Sequence, residues 1–234
     1  MLKPPDSFTT EKPFSSVSVE YIIVDKVTYM SSIYLVRHGI PDFPNGNIIL
    51  QGRYTDLDLN PGCFSDAANL KDYFADKEIE NWYSSPLKRA RQSLEQFIPD
   101  DKKMIILEDA AEVYFGRWEG KSWEENMRND PDLFERRKTD NTVLPSGAED
   151  MHDAAERMMR ALKQTQGNCV IATHWTVISL VTCLLTGHPF EDYTSIPHPY
   201  LGVTKINRKG EEFTVEFVGR KVCDTPFCDT WRNY

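Results

Sequence analysis

The sequence predicts an α/β protein, a three-layer α/β/α sandwich built around a mostly parallel sheet. Two observations lead to this expectation. Short apolar runs, rich in β-branched and aromatic residues, occur at residues 33–36, 82–83, 104–107 and 169–173, and they have the length and composition of buried strands. Longer segments with helical spacing of apolar residues separate these runs, and such alternation favours parallel strands with helices on both faces.

The first half of the chain predicts one long loop and two helices between its strands. Residues 41–61 are rich in turn-forming residues and predict the loop. Helical spacing of apolar residues follows over residues 61–75. Pro86 suits the first turn of a second helix, which we expect to run to about Phe97.

The second half predicts further helices and a closing hairpin. Pro131 interrupts a charged segment, so we expect short helices there rather than a long one. Gly187 ends an apolar helix, and a Lys-Gly pair at 209–210 predicts a hairpin turn. The elements expected from these local signals span residues 119–139, 147–164, 177–185, 202–206 and 212–218.

Composition predicts an ordinary globular domain and excludes two kinds of partner. The 234 residues are 40% hydrophobic and 27% charged, which suits one domain with a sizeable core. The formal net charge of −9 opposes binding to a phosphate backbone, so we expect no nucleic-acid partner. No apolar run approaches the roughly 20 residues of a membrane span, so we expect no membrane partner.

The termini are expected to be accessory. Residues 1–30 predict an N-terminal extension, with a possible edge strand at 17–27, and residues 31–234 form the domain. Met30 directly precedes the first strong strand, which makes it a candidate alternative start. The first 30 residues lack the basic and apolar regions of a leader, so a cytoplasmic location is the simplest expectation.

Five cysteines do not predict a disulfide framework in a chain of this length. Cys223 and Cys228 lie close together in the tail and could bind a metal or pair on oxidation. Two reduced thiols in a reducing cytoplasm are the simpler interpretation. We therefore expect no structural disulfide.

Two of the predicted buried strands end in the same residue type. His38 follows the strand at 33–36, after Arg37, and His174 follows the strand at 169–173. Ligand sites in open parallel sheets lie beyond the carboxyl ends of strands, so the two imidazoles are expected to share one crevice. A hydrogen-bonded histidine of the core is the alternative for each.

Arg89 and Glu112 complete this set of candidates. Arg89 falls in the first turn of a predicted helix, where a cation is unfavourable unless it binds an anion. A solvated surface arginine is the alternative. Glu112 lies among aromatic residues that favour a raised pKa and general-acid chemistry. Glu108, Glu119 and Glu124 compete for that role on sequence alone.

Four segments in this order resemble the histidine phosphatase superfamily, branch 1, the phosphoglycerate-mutase-like group. They read LVRHG at 35–39, SSPLKRA at 84–90, EVYFGRWEG at 112–120 and ATH at 172–174, and each follows or ends a predicted strand. The resemblance spans about residues 32–218. It implies a phosphoglycerate-mutase-like fold and a phosphatase domain over residues 31–234.

The resemblance also implies roles for individual residues. His38 is the implied nucleophile, and it forms a phosphohistidine. Arg37, Arg89 and His174 are implied to surround the phosphate, and Glu112 to be the acid and then the base. No metal or other cofactor is implied, because guanidinium and imidazole groups supply the positive charge. The implied substrate-binding residues are Asn45, Gln51 and Gly52. Trp175 is a further candidate at a position that departs from the family, where its indole could stack on a ring-bearing substrate or narrow the entrance.

Two departures from the family pattern affect the implied substrate. After its first glycine the chain reads GIPDFPN at 39–45, and bulky Trp175 follows the second histidine. The expected partner is a small phosphorylated metabolite, and the Trp175 and Phe43 neighbourhoods favour a ring-bearing one, as in the similar α-ribazole phosphatases. The protein is expected to be a monomer or a homodimer. A mutase-type phosphotransferase is the alternative, although the segment from Glu112 to Gly147 is short for a mutase. A non-catalytic phosphate-binding protein is the other alternative.

Overall fold

A computed structural model describes residues 30–222 of the chain. The expected N-terminal extension, the edge strand expected at 17–27, and the thiols of Cys223 and Cys228 lie outside the described residues. Within residues 30–222, strands and helices alternate as the sequence predicts. None of the helices in this part of the chain is long and apolar enough to cross a lipid bilayer.

The described strands form one mixed sheet. They are β1 (Met30–Arg37), β2 (Asn81–Ser84), β3 (Met104–Ile106), β4 (Cys169–Thr173), β5 (Val203–Lys209) and β6 (Glu212–Arg220). Their order across the sheet is β3-β2-β4-β1-β5-β6. β4 pairs in parallel with β1 and β2, and β2 pairs in parallel with β3. β5 runs antiparallel to β1 and β6, so the expectation of a mostly parallel sheet is confirmed.

Helices cover both faces of this sheet. They are α1 (Phe64–Ala68), α2 (Leu70–Phe74), α3 (Lys88–Glu95), α4 (Trp123–Asn129), α5 (Pro131–Arg137), α6 (Met151–Gln164) and α7 (Trp175–Thr186). On β1, Ile33 and Leu35 point into the apolar core that contains α6 and α7. Tyr34 and Val36 point into the core that contains α1, α2 and α3. This period of two gives the three-layer sandwich that the sequence predicts.

Some helix boundaries differ from the expectations for local reasons. The helix expected from residue 147 begins at Met151, because the Asp150 side chain accepts from the first backbone N–H groups and Gly147 has a φ of 83°. The helical pattern at 61–75 divides into a 3-10 turn, α1 and α2. α7 begins at Trp175, two residues earlier than expected, and ends before Gly187 as predicted.

The sheet topology brings distant residues to one edge. Arg37 lies opposite Thr173 in the register of β1 and β4, and Ser84 of β2 lies opposite Ala172. These parallel strands therefore end side by side. The next residues along the chain, His38, Ser85 and His174, leave the sheet at the same edge.

Candidate active site

Two hydrogen bonds to backbone carbonyls, one from the N–H of His38 and one from its ring, hold His38 at the sheet edge. The side chain is buried, and its backbone N–H donates to the carbonyl of Thr173 at 3.0 Å. The ring Nδ1 lies 2.7 Å from the carbonyl oxygen of Gly39. Since a carbonyl oxygen only accepts, Nδ1 carries the ring proton and Nε2 keeps its lone pair.

A second contact supports the same tautomer of His38. The Nε of Arg89 lies 3.3 Å from Nε2 of His38, and a guanidinium only donates. Burial, followed by the charges of Arg89 and Arg37, lowers the pKa of His38 well below its ordinary value. The imidazole is therefore neutral near physiological pH, and its basic nitrogen is the one available for nucleophilic attack.

Arg89 is a fully buried cation in the first turn of α3. One terminal nitrogen donates to the carbonyl of Thr55 at 3.1 Å, and the other donates to the carbonyl of Gly52 at 3.1 Å. Asp56 is 4.0 Å away. Backbone carbonyls thus hold the guanidinium against His38, and the solvated-surface alternative for Arg89 is wrong because the side chain is buried.

Arg37 approaches the same region from the end of β1. Its NH1 donates to the carbonyl of His198 at 2.7 Å, and its guanidinium carbon lies 3.8 Å from the ring centre of Tyr200. Both Arg37 and Tyr200 line the cavity that contains His38. Two cations therefore lie close to one neutral imidazole.

His174 meets His38 as the strand-end pattern predicts. The two ring centres are 5.1 Å apart. His174 is fully buried, and its Nε2 lies 2.7 Å from the hydroxyl oxygen of Ser85. Its Nδ1 has no hydrogen-bond partner among the described residues. Burial, followed by the charge of Arg89, lowers the pKa of His174 well below its ordinary value.

Glu112 is the buried carboxylate among the four candidates for the acid. Its Oε1 accepts from the backbone N–H of Val113 at 2.9 Å, and its Oε2 accepts from Thr176 at 3.3 Å, in the first turn of α7. Burial raises its pKa above the ordinary value. Glu108 and Glu124 are exposed, so only Glu112 combines burial with a place beside His38 in the cavity wall among the described residues.

A cavity of about 710 Å³ opens from His38 and Arg37 toward the loops. Aromatic side chains form much of its wall: Phe43, Phe115, Trp123, Trp175, Tyr193 and Tyr200. Gln51 and Trp175 line it, whereas Gly52 lies beneath Arg89 as a carbonyl acceptor. Asn45 is exposed and does not line the cavity, and Asn47 does.

Sequence reasoning missed the residue that holds the Glu112 segment. Arg157 of α6 donates to the carbonyls of Asp109 at 2.6 Å and Ala111 at 2.9 Å, and it pairs with Glu149 at 2.8 Å. Arg157 lies on the buried face of the amphipathic helix α6. An arginine among the apolar positions of a helix is the sequence signal for such a role, because a buried cation requires hydrogen-bond partners.

The fold and this arrangement place two histidines and two arginines at one sheet edge, next to a cavity. The family model of the histidine phosphatase superfamily (branch 1) matches residues 33–221. The chain therefore belongs to the histidine phosphatase superfamily, branch 1. This membership and the phosphatase-named relatives support a phosphatase enzyme.

Individual relatives agree with this membership. A Hydrogenobacter thermophilus protein named "Putative phosphoserine phosphatase 2" is 29% identical over 203 residues, which cover 84% of this chain and 98% of that protein. The structure of Bacillus stearothermophilus YhfR is 26% identical, with a TM-score of 0.74 over 82% of this chain and 98% of that one. An α-ribazole phosphatase structure from Shigella flexneri shares the fold, at 21% identity and a TM-score of 0.69, over 81% of this chain and 96% of that one.

Proposed function

We propose that this protein hydrolyses small phosphomonoesters through a phosphohistidine on His38, without a metal ion. The observation that supports this most directly is the tautomer of His38. Its Nδ1–H donates a hydrogen bond to the Gly39 carbonyl, and its Nε2 lone pair accepts from Arg89 at the cavity floor. A neutral, oriented imidazole beside two guanidinium groups is suited to attack a phosphoryl dianion.

In the first step, Nε2 of His38 attacks phosphorus, and a new N–P bond forms as the bond to the leaving oxygen breaks. The Nε–H of Arg89, which contacts Nε2 of His38, turns to a phosphoryl oxygen. Glu112, in its protonated form, gives its proton to the departing alkoxide, so the alcohol leaves neutral. The raised pKa of Glu112 suits this role, because the acid must hold a proton before the step.

In the second step, water attacks the phosphorus of the phosphohistidine. The Glu112 carboxylate takes a proton from that water, the N–P bond breaks, and Nε2 recovers its lone pair. Inorganic phosphate leaves, and Glu112 is again protonated. Nδ1 keeps its proton throughout, hydrogen-bonded to the Gly39 carbonyl, so His38 ends each cycle in its starting tautomer.

His174 is proposed to stabilise the phosphoryl oxygens as a neutral donor. The Ser85 hydroxyl accepts from the backbone N–H of Leu87 at 3.2 Å, and its own proton is available to Nε2 of His174. Nδ1 of His174 then carries the ring proton, and this is the atom with no partner among the described residues. A phosphoryl oxygen would supply that partner.

The leaving group is proposed to be a small ring-bearing alcohol. The aromatic wall of the cavity supports this, because rings stack well on such surfaces. We assign the phosphatase activity to residues 31–234. We propose a cytoplasmic metabolite as the substrate. The net charge of −9 supports a small substrate rather than nucleic acid.

The test is a panel of phosphomonoesters assayed with and without a chelator. Phosphorylated ribosides, phosphoserine, 3-phosphoglycerate and p-nitrophenyl phosphate are compared by phosphate release, and phosphoglycerates are also assayed for mutase transfer. We expect chelator-resistant hydrolysis and a preference for ring-bearing esters. Phosphate binding without turnover of any ester would instead support a binding protein, and transfer faster than hydrolysis would support a mutase.

A further inference from the structure

Glu119 has a hydrogen-bonding pattern that the proposed chemistry does not use. Its Oε1 accepts from the backbone N–H groups of Arg53 at 2.9 Å and Phe115 at 3.1 Å. Its Oε2 accepts from the backbone N–H groups of Tyr54 and Thr55, each at 3.0 Å, and from the Thr55 hydroxyl at 3.2 Å. One carboxylate thus binds three consecutive N–H groups of the loop at 53–55.

The carbonyls of this same loop hold Arg89. Gly52 and Thr55 accept from the two terminal nitrogens of its guanidinium. One short segment therefore binds both side chains: the N–H groups of residues 53–55 donate to Glu119, and the carbonyls of Gly52 and Thr55 accept from Arg89. Because the backbone of this segment is hydrogen-bonded to both side chains, a shift of the segment at Glu119 also shifts the carbonyls that hold Arg89.

Gly52 shows how closely this loop approaches Glu119. A Cβ atom on Gly52 would collide with the Glu119 carboxylate and with the carbonyl of Val113. The loop is also anchored by the backbone bond from Arg53 to the Val113 carbonyl at 3.1 Å. The absence of a side chain at residue 52 is therefore a requirement of this contact.

We infer that Glu119 is a positioning residue, which sets the place of the Arg89 guanidinium through the loop at 52–55. This inference rests on the proposed role of Arg89 in phosphoryl transfer. Removal of the carboxylate leaves the N–H groups of Tyr54, Thr55 and Phe115 without their acceptor, while Arg53 keeps only the Val113 carbonyl, and the loop must rearrange to find others. A guanidinium held by that loop then moves relative to His38.

The first experiment measures activity in Glu119→Ala and Glu119→Gln. We expect kcat/KM for p-nitrophenyl phosphate to fall by roughly tenfold to a hundredfold in Glu119→Ala, as a displaced catalytic group does. Glu119→Gln should lose less, since its amide oxygen still accepts on one side. Alkyl phosphates should lose activity by the same factor, because Arg89 acts on the phosphoryl group common to all esters.

Asp130→Asn provides a matched control. Asp130 is another carboxylate held by several donors, Trp118 and Arg117, but it lies outside the cavity wall. This variant should lose comparable thermal stability without the loss of kcat/KM. Calorimetric binding of orthovanadate to each variant gives a second readout, and we expect weaker binding only in the Glu119 variants.

A double-mutant cycle with Arg89→Ala decides the inference. If Glu119 acts through Arg89, Glu119→Gln costs little further activity once Arg89 is removed. Equal losses in both backgrounds would overturn the inference and leave the proposed function intact. Full activity of Arg89→Ala would instead contradict the proposed function, and with it this inference. The cycle uses Glu119→Gln, so it remains decisive even if Glu119→Ala fails to fold.

Discussion

The two ends of the cavity are built in different ways. At the phosphate end, His38 and His174 follow strands of the sheet directly, and Arg37 is the last residue of β1. At the leaving-group end, the wall comes from the loop around Phe43 and from the first residues of α4 and α7, Trp123 and Trp175. The floor is tied to the sheet by backbone hydrogen bonds, whereas the rim joins segments that are distant in sequence.

This difference separates the chemistry of the site from its specificity. Strand ends place the groups that act on phosphorus, because parallel strands in register leave little freedom at their carboxyl edge. Loops tolerate substitution with less effect on the fold, so they can vary the alcohol that is accepted. We therefore expect the largest losses of activity at the floor and the smallest at the rim.

The largest expected effect is at the nucleophile. His38→Ala should lower kcat by at least about a thousandfold for every ester, because no other neutral imidazole offers its lone pair at the same place. The exposed His152 of α6 gives the matched control, His152→Ala, which should keep full activity. Phosphate release and circular dichroism check activity and folding. Retained turnover in a folded His38→Ala protein would show that the floor of the cavity does not carry the chemistry.

Glu112→Gln should have the next largest effect, and its size should depend on the leaving group. Alkyl phosphates need a proton on the departing oxygen, so we expect a loss of roughly 10²–10⁴ in kcat. Nitrophenolate hardly needs one, so the loss for p-nitrophenyl phosphate should be much smaller. The exposed Glu108 supplies the control variant Glu108→Gln. Equal losses for both kinds of ester would show that Glu112 is not the acid.

The pH profile of kcat/KM gives a third, smaller effect with a defined sign. His38 must be neutral, and its lowered pKa keeps activity at pH values below the ordinary range of histidine. Glu112 must be protonated, and its raised pKa means that activity falls only as pH rises above the ordinary range of glutamate. We expect this alkaline limb to disappear in Glu112→Gln with the same substrate. An unchanged alkaline limb would assign it to another group.

The smallest expected effect is at the rim. Trp175→Ala should change kcat for p-nitrophenyl phosphate by less than about tenfold, since stacking contributes about 0.5–1.5 kcal/mol. The KM for ring-bearing esters should rise more than the KM for glycerol phosphate. Trp175→Phe should preserve much of that preference because it keeps a ring. A loss of kcat as large as that of Glu112→Gln would mean that rim and floor are not separate.

The same division decides how much of the molecule could be predicted from its sequence. The strand-end histidines and Arg89 were predicted because a buried strand, a terminal polar residue and the next helix are local signals. Asn45 was expected in the substrate site, but it has a φ of 53° in a turn and is exposed, and Asn47 lines the cavity instead. The backbone conformation of this turn decides which asparagine lines the cavity, and the local composition does not reveal that conformation.

The partners of Arg157 and Glu119 could not be predicted from the sequence, for a related reason. Their partners are backbone groups between 4 and 66 residues away in the chain, and a backbone group has no sequence signature. Long-range bonds also fix the rim, where Leu50 donates to Lys121 and accepts from Gly120. Only the folded chain brings these segments together.

Trapping the covalent intermediate tests the central claim most directly. Wild-type protein is mixed with a fast substrate, quenched in base within one turnover, and digested for mass spectrometry. The account predicts one phosphoryl group on the ring of His38, formed and lost as fast as turnover, and absent from His38→Ala. A phosphoryl group on another residue, or steady turnover with no phosphorylated enzyme at any time, would contradict it.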